Sequence, residues 1–440
     1  MRGGMRMRQG AGRLLAATAA LVLCAGCAGG QARSDPRIGA DGSSSGTPSA
    51  STPTMNHDNG DSPAPTADVR LTLERLLGHH AVLMIRLMRG PIDKEPTFVV
   101  AAQQALDRNT NELVSAVAQV YGADAGTEFR SMWQEHIAAL QQYSQAVASG
   151  DADGRRQASS TLRSYSAQYG DLIERVTHGR LASAVVAEGV ARHIRHMVRA
   201  TDAYADGHYE QAFEMERVAY AAMFATGKAL AGAAHHDAHG ELPVAVDSPS
   251  ESLRSGLGRL LGEHVELAFD ATRAIVAGQP AAGAAAQALN ANTADILAAM
   301  NGAVGAEAAS SFGEVWATHI DALVAFSVAV ADNDDAAQSK ARASLDRFPG
   351  RLSSLLAPLS HGNVAAAPVV AALREHDQQL LQQVTAYAAR DYATAHKLAY
   401  AGYDHMFAIA GTLADVLAGR SAAAAPHGGA GTGGGGMTHR

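Results

Sequence analysis

The second half of this 440-residue chain repeats the first half. The segment FRSMWQEHIAAL, which contains His136, returns as FGEVWATHIDAL around His319, 183 residues later. RLLGHH, ending at His80, returns as RLLGEH, ending at His264. A duplication of this length gives two halves with the same fold, so each position can be compared with its counterpart. The polar residues that both halves keep become the first candidates for a functional role.

A shorter period runs within each half. Histidines recur at intervals of 55 to 57 residues, at His80, His136, His193, His264, His319 and His376. Each is followed by apolar residues at helical spacing and then by a break such as Gly150-Asp151 or Asp334-Asp335. Aspartate is a good cap for a following helix. Each half is therefore predicted to contain three helical hairpins.

The apolar residues repeat at helical intervals along most of the chain. Phe129, Trp133, His136 and Leu140 illustrate the pattern, and runs that alternate apolar with polar residues, as strands do, are missing. We predict an all-α protein of two tandem homologous bundles, each of six helices. The predicted helices are 67–90, 97–121, 124–149, 153–178, 181–206 and 208–233, then 250–278, 280–303, 305–332, 334–358, 363–389 and 391–419. The corresponding domains are 67–233 and 250–420, with a linker over 234–249.

The N-terminus resembles a bacterial lipoprotein signal peptide over residues 1–27. Four arginines precede an apolar stretch over 14–23, and Cys27 follows small residues as the predicted lipidation site, with ordinary signal-peptidase cleavage nearby as the alternative. Cys24 departs from the usual pattern, in which Leu stands three residues before the acceptor. Residues 28–66 and 421–440 are rich in Gly, Ser, Pro or Thr and are predicted to be a disordered tether and tail. The protein is thus expected to be anchored at the outer face of the cytoplasmic membrane.

Charge and cysteine content exclude several classes of site. Both cysteines lie in the leader, so the folded part is expected to have no disulfide, thiolate metal site or cysteine nucleophile. Removal of the leader would change the net charge from −8 to −12. Without a basic stripe to neutralise phosphates, nucleic-acid binding is not expected.

The repeated histidines carry the most specific hypothesis. Each is placed near the middle of its helix, on the apolar side, so the sequence predicts a polar layer across each half. The first layer would contain His80, Asn109, His136, Tyr165, His193 and Tyr220, and the second His264, Asn292, His319, His376, Tyr403 and His405. His405 has Ala222 as its counterpart. Neutral imidazoles are good ligands for copper or zinc, and three leave an open coordination position.

A purely structural role is the alternative for these layers. Buried His, Asn and Tyr side chains can hydrogen-bond to each other and fix helix register without a ligand. If the hairpins stacked as a solenoid, equivalent histidines would lie about 10 Å apart, too far to share an ion. The sequence leaves closed bundle and solenoid open.

No catalytic residue is assigned from the sequence. The residues three before the repeated histidines are Leu, Trp or Val, so the Glu-x-x-His pairs of di-iron bundles are missing. There is also no HExxH, G-x-S-x-G, Walker or dinucleotide motif. The chain is therefore predicted not to be an enzyme.

The phrases LLGEH, ALxxNT, FxxxWxxHI and AYAxxDYxxAxxLAYxxYxHMF resemble secreted, alanine-rich helical-repeat proteins and lipoproteins of Gram-positive bacteria. Some of these are automatically labelled copper amine oxidase. That chemistry is not expected, because the chain has no Asn-Tyr dipeptide and no His-x-His pair. The first hypothesis is a cell-surface scaffold that binds an envelope component or a protein partner. The alternative is an extracytoplasmic protein that binds copper, zinc, haem or a small ligand at its histidines.

Overall fold

The computed structural model describes residues 66–235, 248–360 and 366–424. The predicted signal peptide with Cys27, the tether through residue 65, most of the linker and the Gly-rich tail from residue 425 lie outside these residues. Lipidation, membrane anchoring and the linker therefore remain predictions.

The described residues are almost entirely α-helical and contain no strand, so the predicted all-α class is confirmed. The first half consists of α1 (Thr66–Asp93), α2 (Pro96–Tyr121), α3 (Ala123–Ser149), α4 (Ala152–Val176), α5 (Ser183–Ala205) and α6 (Tyr209–His235). The second consists of α7 (Pro249–Val276), α8 (Ala282–Val304), α9 (Ala306–Ala331), α10 (Asp335–Leu345), α11 (Phe348–Leu356), a 3-10 turn (Ala357–Ser360), α12 (Ala366–Ala388) and α13 (Tyr392–Ala424).

Equivalent residues end and begin the helices in the two halves. Gly122 and Gly305 join the second and third helix of their halves with φ of 96° and 87°, a conformation that glycine adopts without strain. Asp151 and Asp334 accept hydrogen bonds from backbone N–H groups of the helix that follows. The two halves thus build their hairpins with the same local chemistry.

One predicted helix is divided in two. Residues 334–358 were predicted as a single helix, but α10 ends at Leu345 and α11 begins at Phe348. Pro349 explains the break, because proline lacks the N–H that would bond to the carbonyl of Leu345 and its ring clashes there. Proline is tolerated in the first turn of a new helix. The first half has Ser166 at this position, and α4 continues through it.

The first helix of each half forms its core. Residues 76–90 of α1 and the equivalent residues 260–274 of α7 are all buried. α1 packs against α2, α3, α5 and α6, while α7 packs against α8, α9, α12 and α13. The repeated histidines of one half therefore lie on neighbouring helices of a closed bundle, and the solenoid alternative does not apply.

The two halves meet around an approximate twofold axis. Tyr220 and its counterpart Tyr403 lie with their hydroxyl oxygens 3.2 Å apart. Tyr220 donates to the carbonyl of Arg259, and Tyr403 donates to the carbonyl of Arg75, which is the reciprocal contact. α6 also packs on α8, as α13 packs on α2. Contacts of this kind are typical of an isologous interface.

The predicted separation into two tandem bundles is not confirmed. The described residues belong to one compact unit, because both halves contribute to a shared buried interface. Glycine makes the close approach possible: a Cβ on Gly262 would lie 2.7 Å from Phe407 and 2.8 Å from Tyr220. In the same way, a Cβ on Gly78 would lie 2.8 Å from Phe224. These are the glycines of the repeated LLGHH and LLGEH segments.

A network of buried charges also joins the halves. Arg86 on α1 contacts Glu266 and Asp270 on α7 at 2.8 and 3.0 Å. Arg89 contacts Glu216 on α6 at 2.7 Å. All five side chains are buried. Removing such ions from water costs several kcal/mol each, which only close pairing offsets.

Of the described helices, α9 (Ala306–Ala331) is long and apolar enough by composition to cross a membrane. Half of its apolar window is buried inside the protein, and its Trp316 and His319 lie in the core. The helix therefore packs as a core element of the second half.

Candidate metal site

Three repeated histidines of the second half converge on one point. His264 lies on α7, His319 on α9 and His376 on α12, and these three helices contact one another. One ring nitrogen of each lies within 4.8 Å of the nitrogens of the other two. Their ring centroids are 5.5 to 5.9 Å apart. All three side chains are buried.

The nitrogen separations of up to 4.8 Å are longer than those of a formed three-histidine metal site. A tetrahedral zinc ion lies about 2.0–2.1 Å from each imidazole nitrogen, which places the nitrogens roughly 3.3 Å apart. Binding of an ion would therefore require the three imidazoles to move towards one another. The fourth position would remain open to water or another ligand.

Two of the three histidines are held in the form that binds a metal. Burial lowers the pKa of His264 and His376 well below 6.5, so both rings are neutral. Neither ring nitrogen of these two residues has a hydrogen-bond partner within the described structure. Since a metal takes the neutral imidazole, no proton has to leave these rings when an ion binds.

Asp377 contacts the third histidine from outside the cluster. Its Oδ1 lies 3.2 Å from Nδ1 of His319. Burial raises the pKa of this carboxyl, and His319 acts in the opposite direction. With Nδ1 facing a carboxylate, Nε2 of His319 would be the atom that binds the ion. Carboxylates in this position orient ligating histidines and make them more basic.

Aromatic rings position the triad. Phe348, at the start of α11, stacks on His319 with centroids 4.3 Å apart. Trp316 lies one turn before His319 on α9 and packs against His264 at 4.8 Å. The break before Pro349 thus places Phe348 directly against a candidate ligand. Packed aromatic walls restrict the rotation of the imidazoles and keep bulk water away from them.

His405, predicted as a fourth histidine of this layer, lies outside the three-histidine cluster. Its Nε2 is 2.8 Å from the carbonyl oxygen of Ala372 on α12. The half-buried ring therefore has a backbone partner.

The first half arranges its histidines differently. Nε2 of His80 lies 3.1 Å from Nε2 of His136, so one ring donates a hydrogen bond to the other. The His80 and His193 centroids are 6.2 Å apart, and the described residues of this half do not form a metal-ligand group. Burial lowers the pKa of His136 to about 3 and that of His193 to about 4. This layer is a neutral, partly self-paired histidine cluster.

Some of the other residues predicted for the polar layers lie beside the histidines or their helices, and the rest lie at the interface between the halves. Asn109 and Asn292 are buried and donate to the carbonyls of Leu76 and Leu260, in each case one turn before the histidine of the central helix. Tyr165 stacks on His136 at 4.8 Å, as predicted for a residue of the layer. The structure places Tyr220 and Tyr403 against each other at the interface of the halves. They meet there because the twofold axis runs between them.

Two residues of the second-half site were not predicted from the sequence. Asp377 has Ile194 as its counterpart, and Phe348 has Tyr165. The differences between the copies were the available signal, since an acid replaces an apolar residue directly after a repeated histidine. That both residues contact His319 became visible only once the helices were placed in space.

No protein-family model, no curated protein and no solved structure matches this chain. The resemblance to alanine-rich helical-repeat proteins therefore stays a sequence-based prediction, and function has to be argued from the site.

Proposed function

We propose that this protein binds a zinc or copper ion at His264, His319 and His376, outside the cytoplasm. The convergence of three buried ring nitrogens within 4.8 Å supports this most directly. Imidazole nitrogen is a preferred ligand of both metals. The proposal selects the ligand-binding alternative over a scaffold without a ligand.

Unpaired nitrogens favour an ion over a purely structural network. Most buried polar atoms in proteins have a hydrogen-bond partner, and each unpaired one costs about 1–3 kcal/mol. His264 and His376 leave both ring nitrogens unpaired and converge with His319, whereas in the first half His80 and His136 pair with each other and His193 is unpaired without such convergence. An ion would satisfy one nitrogen of each histidine in the triad at once.

A bare ion fits the triad better than haem. Haem iron takes one or two axial ligands, and its porphyrin occupies the remaining four positions. Three histidines that converge on one point leave no plane for a porphyrin. The same three ligands suit a tetrahedral zinc ion, or a cupric ion with further ligands.

The proposed role is binding of the ion rather than catalysis. Asp377 faces the outer nitrogen of His319, where it can orient a ligand but is not placed to activate water on the ion. With lipidation at Cys27, the protein would hold its ion at the outer face of the cytoplasmic membrane.

Titration calorimetry with Zn²⁺ and Cu²⁺ on the full chain, purified without a His-tag and treated with EDTA, tests this function. One ion per chain is expected, and His319→Gln should abolish that binding event. His136→Gln is the matched control in the first half and should leave it unchanged. Absence of saturable binding in the wild-type protein, or equal binding by His319→Gln, would refute the metal site and return the scaffold to first place.

A further inference from the structure

A cavity of about 340 Å³ lies beside the triad in the second half. Helices α7, α8, α9, α11, α12 and α13 contribute to its wall, and His376 lines it. Its apolar residues include Leu260, Met300, Phe312, Trp316, Leu352 and Met406. The cavity is partly open to solvent, and an apolar space of this size departs from the close packing of protein cores.

The first half shows what could fill this space. Leu352 has Tyr169 as its counterpart, and Tyr169 is buried. Its ring lies 5.7 Å from that of Tyr165 and 6.4 Å from that of Trp133. In the second half the shorter Leu352 lines the cavity, close to the break that Pro349 introduces. The second copy thus has room where the first copy has an aromatic ring.

The lining of the cavity includes polar side chains but no charged ones. No Asp, Glu, Lys or Arg is among its lining residues in the described structure. His405 contacts the carbonyl of Ala372, and Thr412 donates to the carbonyl of Ala408. His376 is 2% exposed, and neither of its ring nitrogens has a partner among the described residues. An ionic ligand would lose its hydration here with no counter-charge, so a neutral ligand is favoured.

The size and walls of the cavity indicate the shape of the ligand. An engineered cavity of about 150 Å³ holds benzene, so 340 Å³ has room for about two fused rings. Phe312, Trp316 and Phe348 supply aromatic surfaces, against which a flat ring system packs favourably. Both ring nitrogens of His376 are covered by neighbouring atoms, so a single hydroxyl or N–H group would reach one of them after a rotation of the imidazole.

We propose that this cavity binds a neutral aromatic molecule of about two fused rings, whose one hydroxyl or N–H group hydrogen-bonds to His376. The site does not depend on the metal. With an ion on one nitrogen of His376, the other nitrogen carries the ring proton and can donate to a hydroxyl oxygen of the ligand. Without an ion, one ring nitrogen donates and the other accepts, so an N–H group of the ligand can bind as well.

The test measures binding of 2-naphthol to the full chain in EDTA by titration calorimetry. Saturable binding of one molecule per chain is expected. Naphthalene should bind about two- to tenfold more weakly, which corresponds to one lost hydrogen bond. The 2-naphthoate anion should bind at least about 100-fold more weakly, since the cavity offers no counter-charge. No binding of 2-naphthol, or tighter binding of 1-decanol, would overturn the proposal.

Two variants locate the binding event. Leu352→Tyr introduces the aromatic side chain of the first half and should abolish 2-naphthol binding, whereas the reciprocal Tyr169→Leu should leave it unchanged. His376→Phe keeps a ring at that position, so 2-naphthol should then bind no better than naphthalene. Unchanged 2-naphthol affinity in a folded Leu352→Tyr protein, or an unchanged preference in His376→Phe, would contradict the assignment.

Separate titrations of the wild-type protein with zinc and with 2-naphthol distinguish the two proposals. If zinc binds and 2-naphthol does not bind the wild-type protein, only the cavity proposal fails. If 2-naphthol binds in EDTA and zinc does not bind, only the metal site fails.

Discussion

Arg86 donates a hydrogen bond from Nε to Oδ1 of Asp270 at 3.0 Å, and the two residues occupy equivalent positions in the two halves. Equivalent positions meet because the halves pack around an approximate twofold axis. Two identical halves would place like charges opposite each other here, which is strongly unfavourable in a buried site. The divergence to Arg and Asp therefore converts a repulsive position into an attractive one.

Asp270→Asn is predicted to destabilise the whole unit. It leaves the buried guanidinium of Arg86 with one carboxylate fewer, and loss of one partner from a buried pair costs about 3–5 kcal/mol. Urea unfolding should show this loss as a lower midpoint in a single transition. The exposed pair Arg195 and Glu188 provides the control, and Arg195→Ala should leave the midpoint unchanged. Equal midpoints for Asp270→Asn and Arg195→Ala would contradict the prediction.

Gly262→Ala is predicted to weaken the interface between the halves. Its Cβ would lie 2.7 Å from Phe407, so the rings at the axis would have to move. Overpacking of this kind costs about 1–3 kcal/mol. Gly302, an exposed helical glycine with open space around its Cβ position, is the control. Gly302→Ala should stabilise by about 0.4–1 kcal/mol in thermal or urea unfolding. A Gly262→Ala protein as stable as Gly302→Ala would show that the close approach is unimportant.

The protein is predicted to lose stability in acid because the first half buries neutral histidines. Burial lowers the pKa of His193 from 6.5 to about 4. Between these values the unfolded chain binds a proton that the folded chain does not, so stability present above pH 6.5 is lost as pH falls towards 4. His193→Asn should lower the proton uptake on unfolding at pH 5 by about one. Unfolding free energies measured from pH 4.5 to 7.5 give that number as a slope. An unchanged slope in the variant would mean that His193 does not contribute.

Asp377→Asn should weaken metal binding without removing a ligand. Its carboxylate lies 3.2 Å from Nδ1 of His319, and loss of such a contact lowers metal affinity about 10- to 100-fold. Competition with a zinc chelator of known affinity measures the change. Asp321 is an exposed acid on the same helix as His319, and Asp321→Asn serves as the control. A fall shared by both variants would indicate a general charge effect rather than orientation of His319.

The helices themselves could be predicted well from the sequence. The third helix was predicted at 124–149 and lies at Ala123–Ser149, because apolar spacing and the break at Gly150-Asp151 are local signals. The division of 334–358 was missed although Pro349 is visible in the sequence, since the helical pattern continues on both sides of it.

The site required information that a linear pattern does not contain. The spacing of His264, His319 and His376 predicts a common level, but their convergence depends on how α7, α9 and α12 approach each other. The cavity depends on side-chain volume at Leu352 and on the break before Pro349. The meeting of Tyr220 with Tyr403 depends on the axis between the halves, which no local signal specifies.

The mutual hydrogen bond of His80 and His136 has a consequence for the history of the duplication. As two separate identical chains, both copies would have had to keep the same histidine arrangement. Fusion into one chain let the copies change independently. The first copy has a partly self-paired histidine core, whereas the second has open space where the first has Tyr169 and an acid where the first has Ile194. Both proposed ligand sites lie in the second copy, so such a fusion would permit a division of labour between a stabilising copy and a ligand-binding copy.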